Sequence, residues 1–390
     1  MSCDGLAESN AETAVIVAAR RTPITAAHQR LRGVSVSELA ATALRATADD
    51  AGALVGGADG LGDVVLGNCM GPGGNIARVA ALAAGFGERV TGMTIDRQCG
   101  SGLAAILVAA QSVAAGDSRL VLAGGAESAS TAPLRIAPEG VAYQRAAFAP
   151  TGFPDPEMGP AAEALADLRQ VSRERQDDYA LRSHRLALEA TERSLFDAEI
   201  TPAAGLAHDD GPRAISRAVL ARFGPAFAES GSVTAGNSCR VSDGAAAVAI
   251  IPDHRRHGAP GLALRSSAVI GCDPGLPGLG PVPAVHAALA RAGITLDDLG
   301  AIEIVEAFAA QVLAVTDELG LGGKGVIDDR LCANGGALAL GHPWGASGAV
   351  TVVRLFSRLV RAGAPAGTFG LAMVASGGGM GLAAVFQVVR

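Results

Sequence analysis

Aromatic side chains are scarce in this chain. One Trp, two Tyr and ten Phe make up 3% of 390 residues, too few to supply stacking platforms for bases. Basic charge is short as well: 31 Lys and Arg against 38 Asp and Glu give a net charge of −7. No electrostatic footprint for nucleic acid is expected from that balance. No apolar run approaches the roughly 18–20 residues that a membrane span needs. The six cysteines (Cys3, Cys69, Cys99, Cys239, Cys272, Cys332) are widely spaced and form no C-x-x-C pair. Neither a zinc knot, nor any other metal site, nor a disulfide framework is indicated, and a reducing cytoplasm fits. The stretch Met1 to Glu12 is acidic, without the basic and apolar regions of a signal peptide, and the ending Val388-Val389-Arg390 is not a peroxisomal address.

What the chain has is small residues and buried ones. It holds 52 Gly, is 49% hydrophobic and only 18% charged, the composition of a well-buried globular protein. Its length predicts two or three domains or lobes. Short apolar strands alternate with alanine-rich helices at first. Strands are expected at Ala14 to Ala19, Gly62 to Gly67, Val90 to Asp96 and Leu120 to Gly125, and helices at Val36 to Asp50 and Ala77 to Gly85. This alternation predicts a layered α/β sheet. From about Ala126 to Ser242 proline, charge and polar residues rise, and one long helix is expected over Pro160 to Leu195, with a solvated face or a local restart at Ser172 to Asp178. Alternation resumes at Ala245 to Ile251 and again from Leu262. The middle segment therefore reads as an insertion over the core.

Cys99 is the residue with the most chemical content. It lies in Thr94-Ile95-Asp96-Arg97-Gln98-Cys99-Gly100-Ser101-Gly102, just before the apolar run Leu103 to Ala110. That pattern is a strand, a tight turn and a helix, so the thiol sits where unpaired N–H groups and the helix dipole favour a thiolate. Such a thiolate can attack a thioester while the same N–H groups steady the oxyanion. The bland alternative is a cysteine packed as a small hydrophobe. A second glycine-lined helix start, Gly341-His342-Pro343-Trp344-Gly345-Ala346-Ser347-Gly348, echoes the first. Two similar halves facing each other would bring Cys99 and His342 together.

Several blocks in order resemble the thiolase family: Ala14 to Pro23, Gly74-Asn75-Ile76-Ala77-Arg78, Gly124-Gly125-Ala126-Glu127-Ser128, Met158-Gly159, Thr234-Ala235-Gly236-Asn237, Gly280 to Ala284 and, most specific, Asn334 to Pro343. The resemblance covers nearly the whole chain. It implies two repeated βαβαβαββ halves stacked as five α-β-α-β-α layers, with an inserted loop domain that holds coenzyme A. On this reading residues 1–125, completed by 243–261, form the N-terminal half, 126–242 the loop domain and 262–390 the C-terminal half. It implies a ping-pong acyl transfer between acyl-CoA thioesters, no further cofactor, and a homodimer or homotetramer. By the same resemblance Cys99 is the nucleophile, His342 its activator, and Gly377 completes the oxyanion hole with the N–H of Cys99. Met158, Arg213, Cys239, Ala307 and Phe308 fall at positions that face the coenzyme; ordinary core packing is the other reading of Met158 and Phe308.

The departures from the family pattern bear on one half-reaction. The family's second cysteine, which moves the proton at the substrate's α-carbon, is Ala375 in Ala375-Ser376-Gly377-Gly378-Gly379. The asparagine of its Asn-Glu-Ala-Phe motif is Val305 in Val305-Glu306-Ala307-Phe308, and the alternative base position is Ala307. Cys239 and Arg240 replace a Ser-Gly pair, Cys332 replaces an asparagine, and Trp344 replaces a smaller residue. Three functions follow as expectations. The first is an acyltransferase that loads Cys99 and passes the acyl group to an acceptor needing no α-proton removal, through decarboxylation or a heteroatom. The second is a working thiolase with a replacement base such as Ser376, Cys332 or water. The third is a silent acyl-CoA-binding paralogue.

Overall fold

The computed structural model describes residues 12–55, 60–117, 119–143, 145–323 and 326–390. The expectations for Cys3 and for Met1 to Ala11 lie outside them. Nine longer strands carry the fold: β1 (Ala14–Arg21), β2 (Leu61–Gly67), β3 (Thr91–Ile95), β4 (Leu120–Ser128), β5 (Ser242–Pro252), β6 (Gly261–Gly271), β7 (Leu299–Ile304), β8 (Phe369–Ser376) and β9 (Met380–Val389). They follow one hydrogen-bonded path, β7-β8-β9-β6-β1-β5-β4-β2-β3, with a two-residue strand, Thr25–Ala26, paired to β5. The path is thin at its middle, where β1 meets β6 only through Val15 opposite Ala263 and Ile16 opposite Leu262. Two half-sheets result. In each, a parallel pair (β2 with β4, β7 with β8) is followed by two antiparallel steps. The echo between the outer segments of the sequence is thus an echo of topology.

Alternation along the strands sorts side chains into layers, because successive residues point to opposite faces. On one face of the N-terminal half-sheet, Val15, Val64, Leu66, Leu120, Leu122 and Ile251 join Leu39 and Leu44 of α1 (Val36–Val55) and Ile76 and Ala80 of α2 (Ile76–Ala83). On its other face, Ile16, Val65, Val121, Val248 and Ile250 pack with α3 (Ser101–Ala114). From the C-terminal half-sheet, Val374, Leu382, Ala384 and Phe386 enter that same central core, while Leu371, Met373, Ala383 and Val385 face outward. The outward set is covered by α6 (Pro281–Ala292) and α7 (Ala309–Leu319). The result is helix, sheet, helix, sheet, helix. α3 shares the central layer with α8 (Trp344–Leu355), whose Val350, Val352 and Val353 pack into the same core.

The segment between β4 and β5 leaves and returns at one place, since Ser128 pairs with Asp243. The single long helix expected there is two: α4 (Met158–Arg169) and α5 (Arg173–Glu192). Gln170 adopts a left-handed conformation, φ 54°, and the Ser172 side chain accepts the N–H of Arg175, so the restart at Ser172 is a true N-cap. Among the described residues no helix is long and apolar enough to cross a membrane, and no group of three or more His, Cys, Asp or Glu is placed to hold a metal ion.

Candidate active site

Cys99 stands on a sharp elbow between β3 and α3. Gln98 before it is left-handed, φ 50°, a conformation few non-glycine residues adopt. Two contacts hold the elbow. The Gln98 N–H donates to Asp96 Oδ1 at 2.9 Å, and Ser101 Oγ accepts the Arg97 N–H at 2.8 Å while donating to the Gln98 carbonyl at 2.6 Å. Gly100 is the N-cap of α3.

The second helix start is pressed against the first. A Cβ on Gly102 would lie 2.8 Å from the Gly345 carbonyl oxygen, and one on Gly348 would lie 2.6 Å from the Leu103 nitrogen. Only glycine permits that approach. Buried Glu127 ties the start of α8 to the turn after β2, accepting N–H groups of Gly345 at 3.0 Å and of Cys69 and Met70 at 3.1 Å, and the Asn68 amide at 2.8 Å. The third part of the site comes from the turn after β8. Ser376 Oγ donates to the Arg97 carbonyl at 2.6 Å, which brings the neighbouring Gly377 N–H onto the Cys99 sulfur, where it favours the thiolate together with Cys99's own N–H. Cys99, His342 and Gly377 are thus assembled from both halves.

The expected thiolate needs correction. Burial is the largest influence on Cys99, and the charges of Glu127 and Asp96 add to it; the thiol is pushed up to about 12 despite the two N–H groups. At rest it is a neutral thiol. Its prospective partner is also neutral, because burial of the His342 ring lowers it to about 4. His342 Nδ1 lies 2.6 Å from Ser347 Oγ, and that hydroxyl is 3.1 Å from the Pro343 carbonyl. If the hydroxyl proton goes to the carbonyl, Nδ1–H is the donor to Ser347 and Nε2 keeps its lone pair. Nε2 is buried and has no hydrogen-bond partner among the described residues, the condition of a base held ready.

The residues assigned to the coenzyme fall into two places. Met158 opens α4 and Phe308 precedes α7; between them Phe227 meets Phe308 edge-on, ring centroids 6.0 Å apart, and its ring occupies the space beside Gly159. Ser238 bridges to Phe308, the Cys239 N–H donates to the Ala307 carbonyl at 2.9 Å, and the His342 N–H donates to the Arg240 carbonyl at 2.9 Å. Met158, Cys239, Ala307 and Phe308 therefore belong to one wall that runs to His342. Arg213 lies apart, on a cavity of about 640 Å³ lined by Asp178, Arg182, His184, Arg185 and Arg217. The Arg213 guanidinium makes no hydrogen bond among the described residues, and its backbone N–H donates to His184 Nδ1 at 3.3 Å.

Sequence reading missed Phe148 and Phe227. Both sit in the insertion, far in sequence from what they cover. A Cβ on Gly377 would lie 2.6 Å from the Phe148 ring, so this ring lies directly over the Gly377 turn. Arg145 stacks on that ring at 4.5 Å and is held by Asp155 and Glu157, each at 2.8 Å. Ser347 was legible: it follows His342 by five residues at the same helix start.

This thiol elbow, neutral imidazole and glycine N–H, set between two repeated half-sheets, define a site of the thiol-dependent acyl-transfer kind. The comparisons with known proteins agree with that architecture. The thiolase N-terminal domain matches residues 14–254 and the thiolase C-terminal domain residues 260–388. The acetyl-CoA acetyltransferase of Pseudomonas aeruginosa PAO1 is 40% identical over 394 aligned residues, covering 95% of this chain and 98% of that protein. The crystal structure of the Bacillus anthracis acetyl-CoA acetyltransferase superposes with a TM-score of 0.89 at 36% identity, covering 97% of this chain and 99% of that one. The chain belongs to the thiolase family.

Proposed function

We propose that this thiolase-family acyltransferase takes an acyl group from acyl-CoA onto Cys99 and passes it to the α-carbon of a second acyl-CoA. The observations that support the first half are the neutral Cys99 thiol under the Gly377 N–H and, separately, the buried Nε2 of His342, which has no hydrogen-bond partner among the described residues. His342 takes the thiol proton as the sulfur attacks the thioester carbon. The N–H groups of Cys99 and Gly377 steady the oxyanion. CoA leaves as a thiolate and picks up a proton. The cavity beside Arg213 holds four arginines and three carboxylates, with Arg185 paired to Glu189 and Arg217 to Asp178, so the Arg213 guanidinium is the group that suits the anionic nucleotide end of the coenzyme, and the Met158–Phe308 wall suits its thin pantetheine arm. Several similar proteins bear the name “Putative acetyl-CoA C-acetyltransferase”, which favours carbon as the acceptor.

A second reading keeps the first half and changes the acceptor to a decarboxylating thioester or a heteroatom. It rests on Ala375 and on Val305, which is 4% exposed and has only apolar atoms to offer a water. The same proposal places a second copy of the chain along the free edge of β3. The deciding experiment pre-forms acyl-Cys99 and follows its discharge by acetyl-CoA, malonyl-CoA and simple amines in single turnovers. Fastest discharge by acetyl-CoA, yielding acetoacetyl-CoA, is expected. Faster discharge by malonyl-CoA or an amine would overturn acyl transfer to a carbon activated by α-proton removal.

A further inference from the structure

Joining two acyl-CoA molecules through carbon requires a group that moves a proton at the α-carbon, besides Cys99 and its imidazole. We propose that Cys239 is that group. The inference rests on the carbon-acceptor reading above.

The other titratable or hydroxylic side chains near the site are already engaged. Ser376 is fully buried with its hydroxyl committed to the Arg97 carbonyl at 2.6 Å. Cys332 is fully buried in the outer core, across the C-terminal half-sheet from Cys99, and its thiol points to the Ile304 carbonyl at 3.6 Å. Cys69 donates to the Gln98 carbonyl at 3.0 Å. Glu306 has its carboxylate turned away into α5, bonded to Tyr179 Oη at 2.8 Å and Ser183 Oγ at 2.7 Å. Position 375 is alanine and position 305 valine.

Cys239 differs from all of these. Its sulfur is a free thiol met only by its own backbone N–H, not committed to a carbonyl, and the residue is only half-buried. Its backbone is fixed at both sides of the site. The N–H of Cys239 is bound to Ala307, Ser238 bridges to Phe308, and two residues on, Val241 bridges to His342. The unpartnered, buried Nε2 of His342 is the independent sign that a ligand belongs at this end of the wall. The Cys239 and Cys99 sulfurs are near enough that a charge on Cys99 raises the Cys239 thiol further, after burial, the larger cause. A thiol raised in this way is a weak acid, and the thiolate left when it protonates CoA is a strong base.

The proton inventory closes. In the first half Cys99 gives its proton to His342, the carbon–sulfur bond to CoA breaks, and the CoA thiolate takes the proton of Cys239. In the second half the Cys239 thiolate takes the α-proton of the incoming acyl-CoA. The carbanion forms a carbon–carbon bond with the acyl carbon, the bond to Cys99 breaks, and the Cys99 thiolate recovers its proton from His342. Each thiol ends as it began.

The test follows hydrogen exchange at the α-carbon of acetyl-CoA in heavy water by NMR, beside acyl-Cys99 formation by intact mass, for the wild type, Cys239→Ala and Cys239→Ser. Loss of one acid–base group should slow exchange about 10²–10⁴-fold in both variants. Acylation should fall too, because Cys239 protonates CoA in that half, but by less than exchange, because CoA thiolate leaves with little help. Exchange unchanged in both variants would overturn the proposal, as would acylation falling as far as exchange, or a wild type that acylates without exchange. A wild type that forms no acyl-Cys99 would instead defeat the reading on which it rests.

Discussion

In the proposed reaction Cys99 and His342 act as a pair in which neither member is charged at rest. Burial holds the thiol at about 12 and the imidazole at about 4, so over the range between them the proton passes within the pair and not from solvent. The single-turnover acylation rate should therefore show no rise from about pH 5 to about pH 9, and at the acid end it should fall as His342 protonates near 4. Glu127, raised to about 7 by its own burial, adds charge against the thiolate above neutrality and can only depress the alkaline side. A rate that climbs through the ordinary histidine and cysteine range, about 6.5 to 8.5, would contradict this. The position of both residues at helix starts was legible in the sequence, because glycine turns before apolar helices are local patterns. Their protonation was not. It depends on burial by segments as remote as the Phe148 loop and the Glu127 strand, and the helix-dipole argument for a thiolate omitted that desolvation.

Elements set the spacing of the site. The starts of α3 and α8 approach so closely because Gly102, Gly345 and Gly348 leave no side chains between them. The pattern of two glycine-lined helix starts could be read directly, but their contact could not, since nothing local says which face of one helix meets the other. The break between α4 and α5 was half-legible: Ser172 is a good N-cap residue, yet the left-handed Gln170 carries no glycine signal. β3 is an edge strand with only β2 beside it. Its Met93 is 40% exposed, and Val79 and Leu82 on adjoining α2 are 52% and 46% exposed. An edge of this kind is a template for another strand unless it is covered. Light scattering should give a mass of at least twice 38.7 kDa, and Met93→Lys combined with Val79→Lys should shift it toward the single chain. A monomeric wild type would contradict pairing at this edge.

At the scale of the molecule, the site exists only because the two halves and the insertion close on one another. Cys99 comes from the N-terminal half, His342 and Gly377 from the C-terminal half, Cys239 and Phe148 from the insertion. A buried ionic network ties the same three parts. Arg21 of β1 binds Glu199 at 2.8 Å and Asp209 at 2.7 Å, while Arg354 of α8 also binds Glu199. Such a network costs desolvation and is retained where it fixes parts relative to one another. The layered architecture was legible because strand alternation is strong; the insertion's path over the site was not, because its anchors are single long-range contacts. The central claim is that this assembly makes Cys99 an acyl carrier. The direct measurement is intact and peptide mass of the protein quenched after brief exposure to acetyl-CoA. The account expects one acetyl group per chain, mapped to Cys99, with free CoA released in equal amount and no adduct in Cys99→Ala. An unmodified wild type, or an equal adduct in Cys99→Ala, would contradict it.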